Sequence, residues 1–425
     1  MTERPIRPAV PFRLNLDQQK TRARDLLRAV RAGDAAALAR WRTHRPAAAP
    51  EAARLADAQF VIARELGSPS WPRLKAHILA MGRARAAITG GDPPPDGDRR
   101  TLHVRCGSDI RTALGDAGFA GDFLEHSDPC CQGPVPEGPD LHAVRVRFLT
   151  GAFGGLMDLS ADAIADKLRR EEEGLAAAAG YERVVLWCEH DSYDQLCLAR
   201  WLARFAESGA PPVTELVSIS HFPGAARFIG LGQLPPEGLR LLWPTRHRLA
   251  PADLTAGRRA WDALRSPDPR ALAALARSAM PGLPDLPGAL HRHLRELPWT
   301  GDGLSLTERF ILELVGSGDF TVGRIYAEVM NRREPRPWLS DLMFLVIVQA
   351  MLRAAEPPFA IDGDGAGRPW PQWPLRITDA GAAVLRGARD WLSLGPPERW
   401  VGGVRIVPGA GPWRWDDAAG EPVRA

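Results

Sequence analysis

The stretch RVVLWCEHDSYDQL, Arg183 to Leu196, decides the fold that we predict for this chain. It begins with a short apolar run rich in β-branched residues, which is typical of a strand buried on both faces. It ends in acidic residues and a histidine, where a helical pattern begins. Open α/β sheets place their ligand sites at such strand-to-helix junctions. We therefore predict an α/β domain with a candidate site at residues 189–194.

The overall composition is typical of a globular protein with several domains. The chain has 425 residues, of which 45% are hydrophobic and 25% charged. Its first residues, MTERPIRPAVPF, lack the apolar core of a signal peptide, and no apolar run reaches the roughly 18 residues of a membrane span. We expect a cytoplasmic protein that makes no membrane contact.

Charge is distributed unevenly along the chain. Residues 1–90 contain 17 lysines and arginines against 7 acidic residues, whereas the remainder contains 37 against 44. A basic first part could bind nucleic acid or an acidic protein. However, arginine, alanine, proline and glycine are all abundant together, which indicates biased base composition, so arginine richness alone is weak evidence for nucleic-acid binding.

Hydrophobic periodicity and turn residues divide the chain into successive parts. Strands that alternate with helices after residue 100 predict a parallel sheet with helices on its faces. Three helices followed by a hairpin predict a unit similar to a winged helix. The predicted fold is α/β: a helical basic module (1–90), a linker (91–100), a Rossmann-like domain (101–222), a helical segment (223–302), a winged helix-like domain (303–390) and a tryptophan-rich hairpin (391–425).

The first module has predicted helix breaks at Gly33 and Asp34 and at residues 67–69, and the sequence around the first break is similar to part of an ankyrin repeat. Only one such unit is present, and stacked repeats need about three to be stable. Two interpretations stay open. The module either docks a protein partner through its helices, or it is a simple helical cap with a solvated arginine-rich face.

Polar side chains lie at the ends of the four predicted strands, which are residues 101–107, 119–129, 183–188 and 213–220. If all four strands are parallel, these side chains meet at one edge of the sheet, where carboxylates and histidines can exchange protons or hold a hard cation. The candidate catalytic residues are Glu189, His190, Asp191 and Asp194, and the candidate ligand-binding residues are Gly107, Ser108, Asp109, Asp128 and His221, with His126 beside them.

Within this set, we assign His190 as the proton shuttle and Glu189 or Asp191 as its orienting or metal-binding partner. If the protein is an enzyme, we expect Ser108 and Asp109 to contact its ligand, and the backbone N–H groups at Gly107 and Ser108 are candidates for binding a phosphate.

Some of these residues also have a structural interpretation. Ser192 and Gln195 form the sequence pattern of a capping box, and Asp194 in the first turn favours the helix dipole. Ser108 or Asp109 is likewise a candidate cap of the first helix of the α/β domain.

Several chemistries have weak or no motif support. No dinucleotide-binding glycine motif, P-loop, zinc-protease motif or zinc-finger spacing occurs. The cysteines are odd in number and lack C-x-x-C spacing, so we expect buried thiols rather than disulfides or metal ligands. They are Cys106, Cys130, Cys131, Cys188 and Cys197.

The predicted third helix of the winged helix-like domain argues against base recognition. Residues 338–355 are mostly apolar, and the polar side chains that this segment offers as candidate readers of bases are Asp341, Gln349 and Arg353. Direct readout requires exposed arginine, asparagine or glutamine. We therefore expect a buried helix and favour an interaction or structural role over DNA binding, which stays open.

Eight segments between about residues 101 and 416 carry a family resemblance: LHVRCGSD (102–109), GPVP (133–136), LWCEHDSYDQL (186–196), GLGQL (230–234), RRAWDALRSPDPRAL (258–272), LTERFILE (306–313), RWVGG (399–403) and WRWD (413–416). Through these segments the chain resembles the bacterial proteins catalogued as domain of unknown function 1835. That family usually has Gly, Asp, Ser at its opening turn, whereas this chain has Gly107, Ser108, Asp109. The resemblance implies an α/β domain with helical segments and no established activity.

Two functions remain as expectations. In the first, the α/β domain binds a small polar or phosphorylated ligand at the carboxyl edge of its strands, and any catalysis is hydrolysis or group transfer. In the second, the protein is a non-catalytic regulator or scaffold that binds proteins through its helical and winged helix-like parts. The sequence leaves the cofactor, the metal and the enzymatic status open.

Overall fold

The computed structural model describes residues 12–45, 49–225, 227–318 and 320–424. It is a mixed α/β protein with a mostly parallel central sheet and smaller antiparallel sheets. Contacts between Cα atoms divide the described residues into two compact units. The first unit draws on Met1–Arg100, Ser108–Gly121 and Ile219–Arg246, and the second on Thr101–Gly107, Asp122–Ser218 and His247–Ala425.

The helices and strands follow one another in chain order, and two π-helical turns occur at Thr150–Gly154 and Val329–Arg333. The first half contains α1 (Leu16–Arg31), α2 (Ala35–His44), α3 (Leu55–Glu65), α4 (Trp71–Thr89), β1 (Thr101–Arg105), α5 (Arg111–Asp116), β2 (Asp122–Glu125), β3 (Gly133–Pro134), α6 (Leu141–Leu149), α7 (Gly155–Met157), α8 (Ala161–Ala177), β4 (Arg183–Glu189), α9 (Ser192–Ser208) and β5 (Val213–Ile219). The second half contains α10 (Pro236–Leu242), β6 (His247–Arg248), α11 (Pro251–Arg265), α12 (Arg270–Ala276), α13 (Leu286–Leu294), α14 (Leu306–Ser317), β7 (Phe320–Thr321), α15 (Val322–Glu328), α16 (Asp341–Leu352), β8 (Phe359–Ile361), β9 (Pro374–Ile377), α17 (Asp379–Leu385), β10 (Arg399–Gly402), β11 (Val404–Ile406), β12 (Trp413–Asp416) and β13 (Glu421–Arg424).

The first unit is helical, and the predicted breaks at Gly33 and at residues 67–69 separate its helices. Helices α1 to α4 enclose a small core around Trp41. Helix α10 packs against α4 and α5. Buried Glu237 accepts hydrogen bonds from Arg13 and Arg85, with donor–acceptor distances of 2.8 and 2.6 Å. These ion pairs join the beginning and end of the helical module to α10, which lies far along the sequence.

The central sheet of the second unit has the strand order β2-β1-β4-β5-β6. β1 pairs in parallel with both β2 and β4, whereas β6 is antiparallel to β5. Every residue of β4 is buried, as its apolar run predicts. Helix α9 packs on α11 and α13 beside the sheet. A Cβ atom at Gly257 of α11 would lie 2.5 Å from the Leu202 Cβ atom of α9, so glycine permits this close approach.

The last part of the second unit carries three helices and a hairpin in the predicted order. β7, β9 and β8 form an antiparallel sheet beside α14, α15 and α16. Helix α16 is buried on one side through Met343, Phe344, Leu345, Val348 and Met351, which confirms that its apolar run is not an exposed surface. The final strands form two hairpins, and β10 also pairs in parallel with β3.

Candidate functional site

The end of β4 and the start of α9 bring three carboxylates together. Glu189 is the last residue of β4, Asp191 precedes α9, and Asp194 lies in the first turn of that helix. One carboxylate oxygen from each residue lies within 4.8 Å of the others. The guanidinium of Arg105, at the end of neighbouring β1, forms ion pairs with Glu189 and Asp194. We call Arg105, Glu189, Asp191 and Asp194 the acidic hub.

The helix cap beside the acidic hub differs from the predicted one. Asp191 is the N-cap, and its carboxylate accepts a hydrogen bond from the backbone N–H of Asp194 at 3.1 Å. The Ser192 hydroxyl instead donates to a backbone carbonyl of α13. The Gln195 amide donates to the Glu189 carbonyl at 2.5 Å. Asp191 caps the helix because it is the residue directly before the first helical residue, and from there its carboxylate reaches the free N–H groups of the first turn.

The acidic hub contains more negative charge than its own cation balances. Glu189, Asp191 and Asp194 are 6%, 3% and 2% exposed, and Arg105 is 4% exposed. Burial, together with the like charges of Asp194 and Glu189, raises the pKa of Asp191 well above its ordinary range. Burial and the neighbouring charges therefore favour the protonated form of Asp191. Removal of that proton leaves three buried carboxylates for one guanidinium, a set of oxygens that suits a hard cation.

His190 lies between two members of the acidic hub in sequence and is half-buried, so it is more accessible than they are. Its backbone carbonyl accepts a hydrogen bond from Arg336, which follows the second π-helical turn. Among the four predicted catalytic residues, His190 is therefore the one whose side chain meets solvent.

Asp128 belongs to a second ion-pair network in the same unit. Its carboxylate accepts hydrogen bonds from Arg145 at 2.6 Å and from Arg200 at 2.7 Å. Burial by itself raises the pKa of Asp128, but the two guanidinium groups outweigh it and hold the pKa well below the ordinary range. His126 contacts Glu172 at 3.1 Å, and Arg200 also pairs with Glu172.

Burial opposes ionisation of Glu172 as well, yet His126 and Arg200 lower its pKa to about 2. The two carboxylates are thus matched by two arginines. This network is balanced, unlike the acidic hub, and its evident role is to hold the loop after β2 against α6 and α9.

The remaining predicted ligand residues have other positions. Gly107 is half-buried and follows β1 in the second unit, whereas exposed Ser108, Asp109 and His221 belong to the first unit. Neither Ser108 nor Asp109 caps α5 with its side chain. Within the first unit, a Cβ atom at Gly232 would lie 2.8 Å from a carboxylate oxygen of Asp109. Gly232 of the GLGQL motif therefore allows the backbone to pack directly against the side chain of Asp109.

All five cysteines are buried and free. Burial raises the pKa of each thiol, to about 11 for Cys130 and well above the ordinary value for the others. The Cys106 thiol donates a hydrogen bond to Asp194 at 2.6 Å. In the described part of the chain, the only three-residue group with metal-ligand spacing consists of the acidic hub carboxylates. The cysteines therefore act as small buried groups, as expected.

Sequence reasoning missed Arg105, Arg145 and Arg200. A signal for Arg105 existed, because an arginine at the end of the buried strand TLHVR requires a carboxylate partner. Arg145 and Arg200 lie on helices α6 and α9, and arginine on a helix is normally solvent-exposed. Nothing in their local sequence distinguishes them from the other arginines of this arginine-rich chain.

No protein-family model, curated protein or solved structure matches the chain. Within the described residues, every helix is too short or too polar to traverse a lipid bilayer.

Proposed function

We propose that the second unit binds a small polar ligand at the carboxyl edge of its central sheet, with the acidic hub as the receiving group. The observation that carries this proposal is that three buried carboxylates each bring one oxygen within 4.8 Å of the others, a spacing that suits a bound cation. Strongly perturbed acids are typical of functional sites, and burial beside two like charges raises the pKa of Asp191. A cationic ligand would displace the proton of Asp191 and reduce the repulsion among the three carboxylates.

A divalent cation or a cationic group of an organic ligand fits this chemistry best, because the acidic hub offers only oxygen ligands. A second feature supports the same position. The Oε1 atom of Gln195 is buried and has no hydrogen-bond partner among the described residues, while its amide nitrogen contacts Glu189. Buried polar atoms are normally satisfied, so an unmatched acceptor beside the acidic hub favours a bound donor, cation or water.

As an enzyme, this arrangement supports hydrolysis or group transfer. His190 is the half-buried group that would carry a proton between solvent and substrate, and Asp191 is the acid that would release one. The proposed architecture around the acidic hub is Rossmann-like, with the ligand at the strand ends.

The test is a thermal-shift screen of Mg²⁺, Mn²⁺, Ca²⁺ and nucleotides on the full chain, Asp191→Asn and His190→Ala. A ligand at 100 times its Kd stabilises the folded state by about 2.7 kcal/mol. We expect the stabilising ligand to lose this effect in Asp191→Asn. Asp262→Asn, which removes the same charge from an exposed position of α11, is the matched control. The proposal fails if nothing stabilises the full chain or if Asp191→Asn responds like the control.

A non-catalytic scaffold is the second candidate, and two observations favour it. Arg105 already pairs with both Glu189 and Asp194, and Asp191 already caps a helix. In addition, Leu156, Met157 and Leu159 expose 39%, 52% and 37% of their surface at the end of α7. Exposed apolar side chains clustered in this way are typical of protein contacts.

In this second reading, the winged helix-like part and the N-terminal helices serve as docking surfaces for proteins. The same thermal-shift screen separates the two functions, since a scaffold gives no ligand response that depends on Asp191.

A further inference from the structure

A cavity of about 670 Å³ lies in the second unit between α6, α16 and β10. Its volume is in the range of small-molecule sites, roughly 300–1,000 Å³. No acidic hub residue lines it. Val346, Ile347 and Ala350 of α16 line one wall, so the face of this helix opposite its buried side faces the cavity. Val144 and Phe148 of α6 add further apolar surface.

The cavity wall includes the first π-helical turn. Gly151 and Ala152, which line the cavity, belong to the π-helical turn Thr150–Gly154 that continues α6. Such turns are energetically unfavourable insertions and occur frequently at functional sites. The π-helical turn therefore forms part of the wall that a ligand in the cavity would contact.

The cavity is lined by as many arginines as glutamates, but two of the arginines are unpaired. Arg147 and Arg353 line it, are exposed, and form no ion pair with any described residue. Each lining glutamate pairs with another arginine: Glu308 with Arg399, Glu398 with Arg405, and Glu296 with Arg292, which Glu334 shares. The two remaining guanidinium groups are thus available for an anion, which arginine recognises through paired N–H donors.

Two residues of the wall contain buried polar atoms that lack a partner among the described residues. They are the indole nitrogen of Trp338 and the Oε1 atom of Gln132. Unpaired buried groups in a native interior usually mark an absent water, ion or ligand. Together with the apolar walls, they indicate an occupant that is mostly hydrophobic and carries a few polar atoms.

We propose that this cavity binds a small organic acid with an aromatic body, whose anionic group pairs with Arg147 and Arg353. Apolar walls favour the aromatic body, and the unmatched guanidinium groups select the negative charge. Inorganic phosphate is too small to fill the cavity. This site is distinct from the acidic hub, and its ligand is of opposite charge to the one proposed there.

The test measures binding of the fluorescent anion 1-anilinonaphthalene-8-sulfonate and of the neutral N-phenyl-1-naphthylamine to the full chain. We expect the double variant Arg147→Gln/Arg353→Gln to bind the anion about tenfold more weakly and the neutral probe equally well. Arg332→Gln, which removes an exposed charge outside the cavity, is the matched control and should leave both affinities unchanged.

Two cavity-filling variants, Ile347→Trp and Ala152→Leu, should weaken both probes, and melting temperatures identify any variant that is unfolded. Asp191→Asn should keep both affinities, which makes this result independent of the acidic hub. The proposal is overturned if the double arginine variant binds the anion as tightly as the unmodified protein. It is equally overturned if both folded filling variants bind the probes unchanged.

Discussion

We predict that two Asp→Asn substitutions in the acidic hub, Asp194→Asn and Asp191→Asn, change the stability of the protein differently. Asp194→Asn removes a carboxylate that pairs with Arg105, accepts the Glu189 backbone N–H at 2.6 Å and accepts the Cys106 thiol. Asn offers one acceptor and one donor, so at least one of these donors loses its acceptor. Breaking one partner from a buried ion pair costs about 3–5 kcal/mol, and we expect the low end because Glu189 still pairs with Arg105.

Asp191→Asn should behave differently because burial and the neighbouring carboxylates raise the pKa of Asp191, so the folded state favours its neutral form. Asparagine caps helices about as well as aspartate, so the cap to Asp194 is retained. We expect a change within about 0.5 kcal/mol of neutral, or a gain in stability.

The sign of the pH dependence follows from linkage. The pKa of Asp191 is raised in the folded state above its ordinary value of 3.8. Above that value the unfolded chain releases the proton that the folded chain keeps, so Asp191 lowers stability progressively as pH rises. The Asp191→Asn variant does not lose stability in this way, because asparagine does not titrate. Its stability advantage over the unmodified protein should therefore increase from pH 5 to pH 8.

The assay is urea unfolding followed by tryptophan fluorescence at several pH values, since buried Trp187 lies beside Arg105 in the β1–β4 register. Two results would refute the reasoning. One is an equal loss of stability in Asp191→Asn and Asp194→Asn. The other is a difference between Asp191→Asn and the unmodified protein that does not change with pH.

Three further predictions concern residues away from the acidic hub. Burial lowers the pKa of His293 to about 4. The folded state therefore excludes a proton that the unfolded chain takes up below about pH 6.5, and the free energy of unfolding should fall by about 2 kcal/mol from pH 7 to pH 5. Denaturation curves of His293→Gln should not show this loss. Gly257→Ala should destabilise by about 1–3 kcal/mol because its Cβ atom meets Leu202, whereas Gly115→Ala in α5, where a Cβ atom meets nothing within 4 Å, should be neutral or stabilising in the same thermal melts. Arg145→Met should cost about 3–5 kcal/mol by leaving buried Asp128 with Arg200 alone, and a urea midpoint equal to that of the unmodified protein would contradict this.

Local patterns were sufficient for most elements of the fold. The alternation and apolar runs that predicted β1, β4 and β5 depend only on neighbouring residues, as do the helix breaks at Gly33 and Gly67. The π-helical turn after α6 was not predicted, because TGAFG continues a helical pattern and differs from it only in hydrogen bonding. The units also differ from the predicted linear parts, since residues 108–121 and 219–246 group with the N-terminal helices.

Part of the candidate site could be predicted because it is local. Glu189, Asp191 and Asp194 lie within six residues, so a strand followed by a helix necessarily brings them together. The capping box prediction named the wrong capping residue, since Asp191 rather than Ser192 caps α9. Asp128 was predicted as a ligand residue, but its two arginine partners come from α6 and α9, and only packing brings them to it.

The sequence by itself determined where the acids are and which edge of a sheet they follow, because the two-residue period of strands and the onset of a helix are local properties. Only the tertiary structure decided their electrostatic state, because the ionisation of a carboxylate depends on its burial and on the cations around it. Arg105 reaches the acidic hub from a strand more than 80 residues earlier in the chain. The cavity beside α16 likewise depends on α6 and β10, segments that no local pattern connects.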